Sequence, residues 1–387
     1  MGLRSYIDKI KPNFQKGAKY GMFHSTFDAF ETFLFVPNRV TTKGSHIRDS
    51  IDMKRTMTVV IVALLPALFF GMWNVGYQHA LSIGESWPFW QTFFFGFLRV
   101  LPLLVVSYGV GLSVEFAFAQ ARGHEVNEGF LVSGLLIPLI LPVDVPLWMV
   151  AIATAFAVIV GKEVFGGTGM NIFNPALLAR AFLFFAYPSH MSGDKVWIDG
   201  LAKGQQVVDG FSGATPLANA AAYQLDKISS AYDMFMGFIP GSIGETSKLA
   251  ILIGAILLII TGIGSWKIII SVFGGGLVAG LLFNTLAINP YMSIPPWQHF
   301  LMGGFAFGAV FMATDPVSAS QTERGKWIYG FLVGFMAILV RVLNPAYPEG
   351  MMLSILLMNA FAPLIDYYVI QGNIRRRLKR TNRVAKS

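Results

Sequence analysis

TMTVVIVALLPALFFGMWNVGYQ, residues 56–78, is an apolar run free of Asp, Glu, Lys and Arg, and it follows directly on Lys54 and Arg55. As a helix, such a run crosses the roughly 30 Å hydrocarbon core of a bilayer. The texture recurs near 92–118, 129–142, 145–162, 173–188, 248–264, 267–288, 297–314, 327–343 and 350–371. The chain therefore reads as an all-α polytopic membrane protein with about ten transmembrane helices. Several segments run only about 14–17 residues, so half-helices or tilted helices are expected. Composition agrees: of 387 residues, 54% are hydrophobic and 13% charged, against about 25% charged in soluble domains.

The net charge of +8 raises the question of nucleic acid, but its placement points elsewhere. Basic residues crowd the first 55 positions, from Arg4 to Arg55, and the tail, with Arg375, Arg376, Arg377, Lys379, Arg380, Arg383 and Lys386. Juxtamembrane Lys and Arg mark the cytoplasmic side, so both termini are expected inside and the span count even. An RNA-binding tail is the competing reading of the same residues. Met1 to Arg55 lacks the short apolar core of a signal peptide. Without cysteine, disulfides, thiolate zinc sites and Cys-ligated iron–sulfur clusters are excluded from this chain. No residue stands out as a catalytic acid, base or nucleophile, and none as a metal ligand.

Five parts follow. Residues 1–55 form an N-terminal segment with an amphipathic stretch, 56–188 a first five-span half, 189–247 an external loop, 248–371 a second five-span half, and 372–387 a basic tail. The halves share a texture: Asn174-Pro175 and Asp315-Pro316 each follow a Gly-rich stretch, and each half has a Pro-interrupted apolar segment. Two pseudo-repeated halves with broken helices suggest a transporter-like scaffold, its pathway or cofactor lying at the breaks.

The 189–247 loop has more acidic than basic residues, as an outer loop should. It carries Asp209-Gly-Phe-Ser212-Gly213-Ala214-Thr215, a hydroxyl at the end of a small-residue run. Read alone, the run is a turn. Gly166-Gly167-Thr168-Gly169 looks like a phosphate cradle, but no strand precedes it and no Lys follows at P-loop spacing. Close helix packing by small residues is the competing reading. A third is a flat slot opened by glycine, with Thr168, Asn171 and Asn174 as polar contacts. Ionisable residues within or beside the spans include Arg99, Glu115, Glu128, Lys162, Glu163, Arg180, Asp315, Arg341 and Asp366. Each needs a partner or water, and Arg99 with Glu115 is one candidate ion pair.

Several motifs occur together in one order: His46-Ile-Arg-Asp-Ser50, Val126-Asn-Glu-Gly-Phe130, Gly161-Lys-Glu-Val-Phe-Gly-Gly-Thr-Gly169, Asn174-Pro-Ala-Leu177, Arg180-Ala-Phe182 and Ser212-Gly-Ala-Thr215. Over essentially its whole length the chain resembles the B-type membrane subunits of Na+-translocating NADH:quinone oxidoreductases, and more distantly the corresponding Rnf-complex component. The resemblance implies FMN joined to Thr215 through a phosphoester bond by a flavin transferase, with Asp209, Ser212, Gly213 and Ala214 as the recognition run. It implies a noncovalent riboflavin, for which Asn171, Asn174 and Thr168 are candidate contacts, with Asp315 opposite. It associates Asp28, Glu128 and Asp366 with Na+ uptake, carboxylates suiting a hard cation. Ubiquinone or menaquinone would be reduced near the cytoplasmic face, where Phe27 and Phe30 on the amphipathic stretch and Gly123, Gly129 and Phe130 are candidate neighbours. A lipid-facing or subunit-facing stripe is the plainer reading of those phenylalanines.

The expected protein is thus the redox subunit of a sodium pump in a bacterial inner membrane, with the Thr215 loop on the periplasmic side. The chain shows no NADH-binding fingerprint and no cluster ligands, so partner subunits are required, alongside quinone and membrane lipid but no nucleic acid. A channel or secondary transporter on the same scaffold, or a component of an Rnf-type ferredoxin:NAD+ oxidoreductase, are the alternatives.

Overall fold

The computed structural model describes the chain except residues 1–2, 16, 19, 25, 28–30, 32–34, 36–40, 46–52, 124–128, 205–206, 209–210, 345–348 and 385–387. Among the described residues there is no strand. The bundle is built from α1 (Met53–Ser82), α2 (Phe89–Arg122), α3 (Phe130–Leu139), α4 (Leu147–Gly161), α5 (Pro175–Ala186), α6 (Lys248–Ile260), α7 (Trp266–Leu286), α8 (Glu323–Leu343) and α9 (Met351–Val384). A broken segment, 298–312, lies between α7 and α8 and ends in a π-helical turn, Gly308–Met312.

All ten apolar segments of the sequence coincide with these elements. Among the described residues, six helices are long and apolar enough to cross a membrane, and α3, α5 and α6 are shorter apolar helices. At 1.5 Å per residue the three are only about 15–20 Å long, half-spans as the sequence suggests. Their ends are written locally. Asn174 caps α5, accepting from the N–H groups of Ala176 and Leu177, with Pro175 at the first helical position. Ser247 caps α6 and Thr322 caps α8 in the same way. Gly123 ends α2 with φ 69°, its N–H returning to the carbonyls of Ala119 and Gln120.

The third apolar segment of each half is the interrupted one, and the exposed backbone has partners in both. At the end of α3 the carbonyls of Leu139 and Leu141 accept from the N–H groups of Gly244 and Ile243. At the break in 298–312, Gly303 O accepts from Lys248 Nζ and Met302 O from Arg341 Nη2. Irregular backbone at membrane depth persists only when buried in protein with its polar groups satisfied.

Glycine sets the closest helix approaches. A Cβ on Gly96 would overlap the Met72 carbonyl where α1 crosses α2, and one on Gly334 would overlap Val272 O where α7 meets α8. Such close contact of backbones supplies the packing that lipid cannot. The 189–247 loop is folded as well: Leu217, Ala220, Met234 and Ile239 join Tyr291, Ile294 and Met302 in a second core over one end of the bundle.

Candidate functional site

Two clefts open at opposite ends of the bundle, and α5 and α6 reach both. The first lies under the folded loop. Thr215, half-buried, is the N-cap of a short helix, Pro216–Ala221, and its Oγ1 accepts from Ala218 N at 3.1 Å. The hydroxyl thus uses a lone pair in the cap and leaves its O–H bond out of it. Ser212 Oγ accepts from Ala214 N at 3.3 Å. Gly213 is buried against the Asp194 carbonyl, which a Cβ would overlap. The small residue is therefore required by the loop's own packing. Asp209 lies outside the described residues.

The floor of this cleft is charged. It is lined by Arg180 and Phe184 from α5, Glu245, Thr246 and Lys248 from the entry to α6, and Glu349 before α9. Arg180 bridges the two carboxylates, with Nη1 at 3.1 Å from Glu245 Oε1 and Nη2 on Glu349 Oε2. Lys248 Nζ donates to the carbonyls of Glu245, Thr246 and Gly303. Behind Gly303, Arg341 is wholly buried and donates to the carbonyls of His299, Met302 and Glu349. Burial, and then the neighbouring Glu349 charge, push the Glu245 carboxyl up to about 7 against the pull of Arg180. The sequence marks Arg180 and Arg341 as needing partners. It gives no sign that Glu245 and Glu349 are those partners, because they lie 65 and 169 residues from Arg180.

The second cleft opens beside the start of α1 and the ends of α4 and α6. It gathers Thr168, Asn171, Asn174 and Asp315, together with Gly129 and Lys162, between apolar walls from α1, α3 and α6. Asn174 Nδ2 donates to Asp315 Oδ2 at 3.2 Å, so the Asn-Pro and Asp-Pro corners of the two halves meet directly. Asp315 also accepts from Val317 N and Ser318 Oγ. Asn171 Nδ2 donates to Phe173 O. Lys162 is paired with Glu115 in the interior. Apolar walls with a few convergent polar groups are what a flat, uncharged ligand needs. The glycines beside Thr168 serve another purpose than close packing: Gly166, Gly167 and Gly169 have φ of 120°, 99° and 90°, and no foreign atom lies within 3.4 Å of a Cβ on any of them. They shape a left-handed turn.

Other expected residues sit elsewhere. The Phe130 ring is buried in the notch left by Gly111 on α2, Gly123 is a helix cap, and Phe27 stacks on Phe14 at 4.6 Å. These three have different surroundings, and Gly129 alone of the group lines the second cleft. Asp366, on α9, accepts from Ser320 Oγ, Gln321 N, Thr322 N and Thr322 Oγ1, clamping the loop before α8. Asp28, Phe30 and Glu128 lie outside the described residues. The pairing of Arg99 with Glu115 does not form: 16 positions apart on α2, they stand about 24 Å from each other along the axis. Arg99 binds Asp199 at 3.0 Å instead.

The family described as NQR2, RnfD, RnfE matches residues 40–375. Among curated relatives, the Na(+)-translocating NADH-quinone reductase component designated B from Chromohalobacter salexigens is 47% identical, over 98% of this chain and 97% of its own. The proteins of the same name from Ectopseudomonas mendocina and Pseudomonas aeruginosa are 48% identical, over 98% of this chain and 100% of theirs.

Proposed function

The chain belongs to the NQR2, RnfD, RnfE family, and on that premise we propose that it is the B-type membrane subunit of a Na+-translocating NADH:quinone oxidoreductase. It works with the other subunits of that complex in a bacterial inner membrane. Near full-length similarity to proteins of that name, at 47–48% identity, favours this over an Rnf-type component or a plain transporter. Basic Lys54 and Arg55 flank the start of α1, which favours that end lying inside. The Thr215 cleft, at the other end, is then periplasmic.

The observation that carries the redox reading is the setting of Thr215. Its Oγ1 bonds to Ala218 N as an acceptor, and an ester oxygen keeps that capacity, so a flavin transferase can replace the hydrogen with a phosphoryl group while the cap survives. FMN held there supplies reversible electron uptake. Gly213, Ala214 and Ser212 hold the loop in the shape that presents the hydroxyl, with Asp209 completing the recognition run. In the second cleft Thr168, Asn171, Asn174 and Asp315 hold riboflavin between apolar walls. Riboflavin has no phosphate and so needs no cationic cradle. Asp28, Glu128 and Asp366 serve Na+ entry; of the quinone candidates, Phe130 is enclosed against α2 and Gly123 ends that helix, and neither is assigned to the quinone.

The test is a denaturing gel of the purified complex followed by mass spectrometry of the Thr215 peptide. Flavin fluorescence should stay with this chain and vanish in Thr215→Ala. Fluorescence that persists in that variant, or an unmodified peptide in the wild type, overturns the assignment.

A further inference from the structure

Helix α9 runs on past the rest of the bundle. Its Asp366 clamps the loop before α8, and just beyond it Tyr367 and Tyr368 are exposed, their rings 5.6 Å apart. Tyrosines near the end of a span mark the membrane–water interface. The helix nevertheless continues unbroken to Val384, and every residue from Asn373 to Thr381 is exposed. Leu378 lies about 16 Å past Tyr367 along the axis, and a tilt of about 40° still leaves it roughly 13 Å out. The headgroup layer on one side is only about 5–8 Å deep, so this part of α9 stands clear of lipid. Its two faces differ. Tyr367, Ile370, Ile374 and Leu378 recur at three- and four-residue spacing and form one apolar stripe, with Ile374 43% and Leu378 57% exposed. Arg375, Arg376, Arg377, Lys379 and Arg380 lie around the rest of the circumference. None of these five has an ion-pair partner among the described residues. No Asp or Glu occurs between Tyr367 and Ser387. Arg375 with Lys379 and Arg376 with Arg380 set like charges four positions apart, which destabilises a helix left on its own.

We propose that this projecting end of α9 is a docking element for a companion subunit, which receives it in an apolar groove whose rim carries Asp and Glu. The inference rests on the reading of the chain as one subunit of a larger complex. Stripe and cations together select that occupant. An amphipathic helix lays its apolar face in a groove, and its flanking charges meet opposite charges on the rim. A lipid surface would attract the arginines, but the apolar stripe runs beyond the depth of the headgroups. Nucleic acid phosphates would also pair with the arginines, and would leave Ile374 and Leu378 in water. The same helix from a second copy of this chain would bring like charge against like.

The experiment uses the assembled complex, purified through this chain, and reads which subunits stay with it as the sample is diluted in rising KCl. Illuminated Leu378→p-benzoylphenylalanine should form an adduct with a companion subunit, at a peptide that carries Asp or Glu. Arg376→Glu combined with Arg380→Glu should weaken retention of that subunit about tenfold or more at low salt, an effect that shrinks as KCl screens the charges. Ile374→Ser combined with Leu378→Ser leaves the charge unchanged and should weaken retention about tenfold or more at every salt concentration. All four positions are exposed, so the bundle should insert and unfold as in the wild type. Adducts with lipid, nucleic acid or a second copy of this chain, and none with a companion subunit, overturn the docking element. Unchanged retention in both double variants overturns it too, and leaves the subunit reading intact. Wild-type chain that purifies without any companion subunit overturns both.

Discussion

The two clefts share α5 and α6 as walls yet are built on opposite electrostatic plans. Under Thr215, five buried or nearly buried charges interlock: Arg180, Lys248, Arg341, Glu245 and Glu349. Around Asn174 and Asp315 the polar groups are mostly caps: an amide and a carboxylate that finish their own turns and then bond to each other. About 9 Å of helix separates Asn174 from Arg180, so the contrast is local. Charge inside a membrane protein requires partners, and here they are brought from distant segments. A phosphate-free ligand needs only a slot, which local turn chemistry can supply.

The contrast fails first, if it is wrong, at Arg180. Replacing it by Gln leaves Glu245 and Glu349 buried without their cation, and breaking a buried pair costs about 3–5 kcal/mol. Thermal unfolding of the complex in detergent should show a large loss; a shift as small as that from a surface mutation would mean water already screens the cluster. Gly213→Ala comes next. Its Cβ would meet the Asp194 carbonyl, an overpacking of about 1–3 kcal/mol, and flavin incorporation should fall with it. Full incorporation would show that the loop yields.

Glu245 sharpens the comparison through pH. Its folded pKa is raised, so its contribution to stability is fully present below the ordinary value of 4.5 and lost as pH rises through about 7. Stability of the wild type relative to Glu245→Gln should fall from pH 5 to pH 8, by at most about 1.4 kcal/mol per pH unit. A flat difference would mean that Glu245 is ionised throughout. The smallest effect belongs to the other cleft. Asn174→Ala removes an N-cap, costing about 1 kcal/mol, and should leave the Thr215-linked flavin in place while lowering the content of noncovalent flavin. Loss of the covalent flavin instead would show that the two ends are not independent.

Much is legible in the sequence because its cause is local. Runs such as 56–78 need no partner to declare themselves as helices in lipid, and Asn174-Pro175 writes its own cap. The Thr215 run is visible as a motif, although its setting is not: the loop that carries it folds into a second core with Tyr291 and Met302. Arg99 shows the limit. Glu115, close to it in sequence, reads as the natural partner, but helix geometry sends the two to opposite ends, and each pairs through space with a residue from another element.

Sequence alone determined that this chain lives in a membrane as broken and unbroken helices, since hydrophobic length and backbone hydrogen bonding within a segment decide that without reference to the rest of the fold. Tertiary structure alone decided which charges meet. Arg180, Glu245 and Glu349 come together only because α5, the entry to α6 and the turn before α9 converge, and no pattern within any one of those segments encodes a contact that exists only after all three have packed.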